Sequence, residues 1–241
     1  MRSETDAGLD RRLLLAGLMS ALAGGFATAL LPASAQAAGL GGALTDLLGQ
    51  ASDSSLDKLA QPGAFYNDPA IRIGLPLIGG LGGGGLGGVL GKALDTGSKL
   101  GLTDNLVRRL NDAAGVAAGE AKPIFRSAIS KLTLADVPGI ASENDGATRY
   151  LKRSAGDELH AKLRPLIDSG LRQVGAYGQL ESLGKRSKLV RKAGITEDRL
   201  GDSVTGQALD GIFNYMGNEE GKLRANPLSP AKGLLKGLLG N

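Results

Sequence analysis

The chain contains no cysteine and no tryptophan, and His160 is its single histidine. Without cysteine there can be no disulfide, thiolate nucleophile, iron–sulfur cluster or cysteine-bound zinc, and one histidine excludes any site that needs two imidazoles. His160 stands among Asp157, Glu158 and Lys162, a polar stretch typical of a solvent-facing helix. We therefore expect no cofactor and no metal ion, and we interpret His160 as a surface residue.

Aromatic residues are also scarce, at 3% of the chain, whereas 42% of its residues are hydrophobic. The core must therefore be built from leucine, isoleucine, valine and alanine, which suit helix packing better than sheet packing. No segment alternates apolar and polar residues in the manner of a strand. At 241 residues the chain can form one domain with a sizeable core. These features predict an all-α fold, a single irregular helical bundle.

The first 37 residues have the three parts of a secretory signal in the usual order. Arg11 and Arg12 precede an apolar run that continues to Leu31, and Ala35-Gln36-Ala37 is a small-residue cleavage motif. We therefore expect export and cleavage near Ala37, which would make the protein periplasmic or secreted. The paired arginines resemble a twin-arginine signal, while general secretion and a retained membrane anchor are the alternatives.

Composition and periodicity divide the chain into four parts. They are a signal peptide, a region with an N-terminal helix, an extended segment and a glycine-rich linker, a helical core domain, and a C-terminal tail, with bounds 1–37, 38–100, 101–225 and 226–241. In the second part we expect the helix from Gly39 to about Ala60 and the extended segment from Gly63 to Pro76. The tail carries Lys232 and Lys236 among leucines. We expect a short amphipathic helix there, which either docks on the core or touches lipid.

The glycine-rich linker has no charged residue between Arg72 and Lys92, and its glycines recur at intervals of four residues. A helix there would present the small-residue stripe of membrane-spanning helix pairs. Each glycine, however, costs a helix about 0.8–1 kcal/mol relative to alanine. For residues 74–91 we therefore favour a flexible loop over a membrane-associated helix, followed by a short helix from Val89 to Leu100.

Beyond residue 102, aliphatic side chains recur every three or four residues, which predicts successive amphipathic helices. Pro123 either kinks one helix or begins a second, and Pro165 should bend a later one. We expect a helix over residues 147–155 that leads to another, a further helix over 175–193, and a last long helix that begins at Thr196. The inner faces should hold Leu106, Val107, Leu110, Ala113, Ala114, Ala117, Ile124, Phe125, Ala128, Ile129, Leu132, Leu159, Leu163, Leu166, Ile167, Leu171, Val204, Ala208, Leu209, Ile212, Phe213 and Met216.

The net charge is +4, a surplus that suits an anionic membrane surface without requiring nucleic acid. The densest basic cluster, here called the basic patch, consists of Lys185, Arg186, Lys188, Arg191 and Lys192. It is either a solvated helix face or a site for lipid phosphates and other anionic envelope polymers. We expect no nucleic-acid partner, because the chain carries an export signal and no aromatic residue separates these bases.

Several short elements share the order and spacing of one known family. They are Asn67 to Pro76, Leu110 to Ala114, Ala121 to Phe125, Gly146 to Tyr150, Val204-Thr205 with Ala208 to Phe213, and Glu219-Glu220 with Arg224 to Pro227. Together they resemble the bacterial domain-of-unknown-function family 4197 over nearly the whole mature chain. The resemblance implies an exported helical protein of Gram-negative bacteria with no assigned activity. The chain departs from the family pattern at Gly74, where proline is usual, and at Gly115, where glutamate is usual.

The polar residues inside these elements are the candidate binding residues, namely Arg72, Asn111, Asp136, Thr148, Tyr150, Asp210, Glu220 and Arg224. They either line one polar cleft or form a solvated face and buried pairs that fix helix register. Glu220 and Arg224 have the spacing of an ordinary helical ion pair. Asp210 and Glu220 could serve as the acid and base of a glycosidase, but ten residues of helix span about 15 Å, too far for either mechanism.

The sequence favours an exported helical module of unknown activity that binds an envelope ligand or protein, or has a structural role, without catalysing a reaction. The first alternative is a peripheral membrane protein that uses the basic patch and the tail on anionic lipid. The second is a carboxylate-based hydrolase of cell-wall material, for which no sequence feature pairs two carboxylates.

Overall fold

The computed structural model of the chain describes residues 33–76, 104–133, 140, 143–186, 191 and 194–225. These residues form seven helices and no strand, so the all-α prediction is confirmed for this part of the chain. The helices are α1 (Ala33–Leu59), α2 (Ala64–Asn67), α3 (Asp104–Glu120), α4 (Lys122–Ser130), α5 (Gly146–Gln173), α6 (Ala176–Arg186) and α7 (Glu197–Ala225). Outside the described residues lie the predicted signal sequence before residue 33, the glycine-rich tract beyond Pro76, the tail, Asp136, Lys188 and Lys192.

The chain divides into two compact units, Met1–Gln36 and Ala37–Asn241, and the contacts given below lie within the second. Helix α5 is central to that unit and contacts α3, α4, α6 and α7. None of the helices in the described ranges is long and apolar enough to cross a membrane.

Helix α5 is one continuous element, so the prediction of two separate helices in this region is wrong. Its buried face repeats every four residues through Leu151, Ala155, Leu159 and Leu163, with no interruption where a break was expected. Pro165 lies inside the helix and removes one backbone hydrogen bond, at a cost of about 3 kcal/mol. The buried side chains of Leu163 and Ile167, on either side of Pro165, each stabilise the fold by about 1.5–3 kcal/mol, which offsets that cost.

Pro123 begins a second helix and does not kink a longer one. It lies in the first turn of α4, where a missing backbone N–H leaves no hydrogen bond unmade. Phe125 of α4 meets Phe213 of α7 edge to face, with ring centroids 6.1 Å apart. This aromatic contact joins α4 to α7.

A turn at a glycine precedes each of the helices α6 and α7. Gly175 has a φ of 71°, a left-handed conformation that favours glycine, and α6 follows at once. Helix α6 is described as far as Arg186, and residues 187–190 and 192–193 of the predicted range lie outside the described residues. Thr196 caps α7 as expected, since its Oγ1 accepts the N–H of Arg199 at 3.2 Å.

The N-terminal elements differ from the sequence prediction in two respects. Helix α1 begins at Ala33, before the predicted Gly39, although it ends close to the predicted position. The segment after Gly63 was expected to be extended, but its first residues form the single turn α2, which buries Phe65. The extended backbone begins only at Arg72 and continues to Pro76.

Candidate functional site

Glu220 and Arg224 form a buried pair at the start of α5, not an ordinary surface ion pair. The Glu220 carboxylate is fully buried and accepts the backbone N–H groups of Ala147 at 3.0 Å and Thr148 at 2.7 Å. Arg224 donates to the same carboxylate at 2.5 and 2.8 Å and also to the carbonyl of Ile140 at 3.3 Å. The Thr148 hydroxyl is buried here without a hydrogen-bond partner among the described residues. The pair therefore fixes the packing of α7 against α5.

Asn111 is a second buried polar residue, and it holds the extended segment against α3. Its side-chain amide accepts the N–H of Ile73 and donates to the carbonyl of the same residue, both at 2.9 Å. Gln207 of α7 repeats this arrangement on Gly74, at 2.9 and 3.1 Å. Two side-chain amides thus satisfy the backbone groups of consecutive residues that belong to no helix or sheet.

The other candidate residues lie elsewhere on the bundle. Arg72 is exposed, donates to the carbonyl of Tyr66 and lies over its ring. The Tyr150 hydroxyl donates to the carbonyl of Thr133 at 2.7 Å. Asp210 is exposed and pairs with a lysine of α5 at 2.7 Å. Thr148, Glu220 and Arg224 therefore come together at the start of α5, whereas Arg72, Tyr150 and Asp210 contact other residues of the bundle.

A polar network that the sequence analysis did not identify links α5, α6 and α7. Tyr177 donates to Asp168 at 2.5 Å, and Arg164 bridges Asp168 and Asp198, both at 3.1 Å. Burial and the hydrogen bond to Asp168 raise the pKa of the Tyr177 hydroxyl well above its usual value, so the hydroxyl remains a donor. Gly201 of α7 has no side chain at this point, and a Cβ there would lie 2.8 Å from Arg164. Of these three hydrogen bonds, only the one between Arg164 and Asp168 has the i, i+4 spacing that a sequence shows, and the other two depend on how the helices pack.

A concave surface lies beside this network, between α6 and the segment that leads into α7. This α6–α7 groove has a volume of about 510 Å³ and a mostly apolar lining that includes Tyr177, Leu180 and Ile195. Gly194, with a φ of 58°, makes the turn at one end of it. Its size and apolar character are those of ordinary small-molecule sites, which span about 300–1,000 Å³.

The rim of the groove includes two members of the basic patch. Lys185 pairs with Glu181 at 2.6 Å, and Arg191 lines the same groove. Arg186 is exposed at the end of α6. The described members of the patch therefore do not form one uniform basic surface, since acidic side chains stand among them.

The described residues contain no group of three acidic or histidine side chains close enough to hold a metal ion. His160 is half-buried, with its Nε2 atom 3.6 Å from the carboxylate of Asp202. Asp210 and Glu220 have unlike surroundings, the first exposed and the second fully buried. An acid and base pair for glycoside hydrolysis requires both carboxyl groups to face one cleft.

A family model described as a protein of unknown function, DUF4197, matches residues 34–240. The chain belongs to the DUF4197 family. The resemblance found in the sequence is thereby confirmed, and it covers all seven helices of the DUF4197 chain except the first residue of α1. No match to the chain was found among curated proteins or among solved structures. Family membership thus assigns no activity to the chain.

Proposed function

We propose that this DUF4197 chain is an exported, non-enzymatic module of the bacterial envelope that binds a small ligand in the α6–α7 groove. The observation that carries the proposal is the contrast between the buried polar residues and the open α6–α7 groove. Two of the candidate polar residues are engaged inside the bundle, where Glu220 caps α5 and Asn111 holds Ile73. The groove instead offers an open apolar floor with charged groups at its rim, an arrangement that favours binding.

Three placements support a role without catalysis. The Glu220 carboxylate is fully buried and already accepts backbone and guanidinium donors, so a substrate in solution does not reach it. Asp210 is exposed and pairs with Lys152. Tyr177 is held protonated by burial and by Asp168, which disfavours its use as a nucleophile.

Export is proposed from the leader sequence and is tested by fractionation. The full chain, expressed with a C-terminal tag in a Gram-negative host, should be released by osmotic shock with a mass reduced by residues 1–37. Replacing Arg11 and Arg12 with lysine should retain the precursor in the cytoplasm if the twin-arginine route is used. Recovery of the full-length mass from the cytosol or from integral membrane would refute export.

The binding role is tested by mass spectrometry of small molecules and lipids that copurify with the exported protein. One ligand class, enriched over a mock purification in about one equivalent per chain, is the expected result. A matched Gly184→Phe variant, which fills the groove, should lose that ligand. A ligand retained by this variant, or no enriched molecule in either sample, would contradict the proposal.

A second candidate is peripheral membrane binding, which the exposure of Lys185 and Arg186 at the end of α6 favours. Flotation with anionic liposomes separates the two functions. Co-flotation that fades as salt rises from about 50 to 500 mM would indicate surface electrostatics. Absence of co-flotation, with a small ligand still bound, would favour the groove.

A further inference from the structure

We propose that the ligand of the α6–α7 groove is a zwitterionic amphiphile, a molecule with one apolar chain and a head group that carries both a phosphate and an ammonium group. This inference rests on the proposed binding function and names the ligand class. The apolar floor of the groove and the charges at its rim support it, and the position of Gly184 allows it to be tested.

The floor of the groove accounts for the apolar chain. Leu180 and Tyr177 are each less than one-tenth exposed, and Ile195 packs beside them against the core. The Tyr177 hydroxyl is already used by Asp168, so this side chain presents only its ring to a ligand. A ligand here gains free energy from apolar contact, at about 25 cal/mol per Å² of surface buried.

The rim of the groove accounts for a head group with both charges. Lys185 and Glu181 neutralise each other at 2.6 Å. The guanidinium of Arg191 and the carboxylate of Glu197 have no ion-pair or hydrogen-bond partner among the described residues, and both line the groove. A phosphate suits the fork of Arg191, and an ammonium group suits Glu197. A purely anionic head group would pair with Arg191. It would also be repelled by the Glu197 carboxylate, because it carries no positive charge to pair with it.

The start of α7 supplies the negative charge at one side of the rim. Thr196, which lines the groove, caps this 29-residue helix, and the positive end of the helix dipole lies there beside the carboxylates of Glu197 and Asp198. Glu197 stands in the first turn of α7. The two ends of a zwitterion therefore both find an oppositely charged group at the rim.

Gly184 gives a way to close the groove without disturbing the bundle. It lines the groove, and a Cβ at this position would meet no atom within 4 Å. Gly178 lies on the same helix, is exposed, does not line the groove, and also has open space within 4 Å. Gly184→Phe and Gly178→Phe are thus a matched pair that differ in whether the added ring occupies the groove.

The test uses the exported protein, stripped of bound lipid, and titration calorimetry below the critical micelle concentration. The probes share one acyl or alkyl chain length: lysophosphatidylethanolamine, lysophosphatidylglycerol and an uncharged alkyl glucoside. We expect the zwitterionic probe to bind at least fivefold more tightly than either other probe. Gly184→Phe should weaken its binding at least tenfold, whereas Gly178→Phe should bind as the parent does, both with unchanged thermal midpoints.

Two single substitutions test which rim residue binds the phosphate of the head group and which binds its ammonium group. Arg191→Gln should weaken binding of both phosphate-bearing probes, and Glu197→Gln should weaken only the zwitterionic one, so that the preference over the anionic probe is lost. Equal binding of the alkyl glucoside, tighter binding of the anionic probe, or unaltered binding by Gly184→Phe would each overturn the inference. If a different ligand class copurifies with the chain and Gly184→Phe releases it, the zwitterion is wrong while the binding function stands.

Discussion

The carboxylate of Glu220 accepts the backbone N–H of Thr148 at 2.7 Å, and this contact joins the last helix of the bundle to the first turn of its central helix. The opening N–H groups of a helix have no partner within the helix, and they carry a partial positive charge. A residue of α7 therefore serves as the cap of α5. Arg224, only 8% exposed at its side chain, balances the buried charge.

Removing the Glu220 carboxylate should destabilise the bundle strongly. Glu220→Ala leaves Arg224 buried without its carboxylate and two amides of α5 unsatisfied, so we expect a loss of about 3–5 kcal/mol in the free energy of unfolding. Glu220→Gln keeps an acceptor oxygen and should lose less. Urea denaturation measures both, with Asp210→Asn on the exposed side of the same helix as the control, expected within about 0.5 kcal/mol. Equal losses in the two positions would contradict the buried cap.

The sequence contained enough information for the helices and their inner faces, but not for the partners of the polar residues. The spacing of Val204, Ala208 and Met216 predicted one buried stripe on α7, and these three residues are buried. The same spacing identified Glu220 and Arg224 as a pair. It could not show that the pair faces the start of α5, because that depends on how two helices distant in sequence are packed.

Asn111 and Gln207 should each protect one backbone amide of the extended segment. Asn111→Ala removes the acceptor of the Ile73 N–H, and Gln207→Ala removes that of the Gly74 N–H. Each hydrogen bond contributes about 1 kcal/mol, so the amide of the affected residue should exchange with solvent about five- to tenfold faster. Amide exchange followed by NMR checks this, with Asn218→Ala as an exposed control. Equal acceleration of both amides by either variant would show global unfolding instead.

Asn111 was a candidate from the sequence, whereas Gln207 was not. Asn111 stood out because it is a polar residue inside Leu110 to Ala114, one of the elements shared with the family. Gln207 is half-buried and lies between two such elements, so no pattern distinguished it from a solvated side chain. Only the proximity of Gly74, 133 residues away, gives it a role.

Gly170 should be required at the crossing of α3 and α5. A Cβ at this position would lie 2.9 Å from the carbonyl oxygen of Ala113 and 3.3 Å from its Cα, both backbone atoms that cannot turn aside. Gly170→Ala should therefore destabilise the protein by about 1–3 kcal/mol. Gly156→Ala, on the same helix but in open space, should stabilise it by up to about 1 kcal/mol. Thermal unfolding of the two variants should give midpoints that shift in opposite directions, and a shared direction would refute the close contact.

Glu219 should make the protein less stable in acid. Burial raises the pKa of this carboxyl, but hydrogen bonds from Lys222, Lys58 and Ser54 outweigh burial and lower the pKa from 4.5 to about 2. Because the folded-state pKa is depressed, the stabilisation is complete above about pH 4.5 and is lost as the pH falls towards 2. Because the Glu219 side chain is only 12% exposed, we expect this loss to lower the free energy of unfolding by about 2–3 kcal/mol.

The measurement is the free energy of unfolding at pH 7 and pH 2.5 for the parent and for Glu219→Gln. The variant should be the less stable protein at pH 7 and should lose less on acidification, because its side chain has no proton to take up. Glu158→Gln is the control, since hydrogen bonds from Lys131 and Lys162 lower the pKa of Glu158 to about 2 as well, but on a surface where solvent screens the charges. We expect a smaller change in acid sensitivity there. A larger effect at Glu158 than at Glu219 would show that burial does not govern the contribution of these pairs.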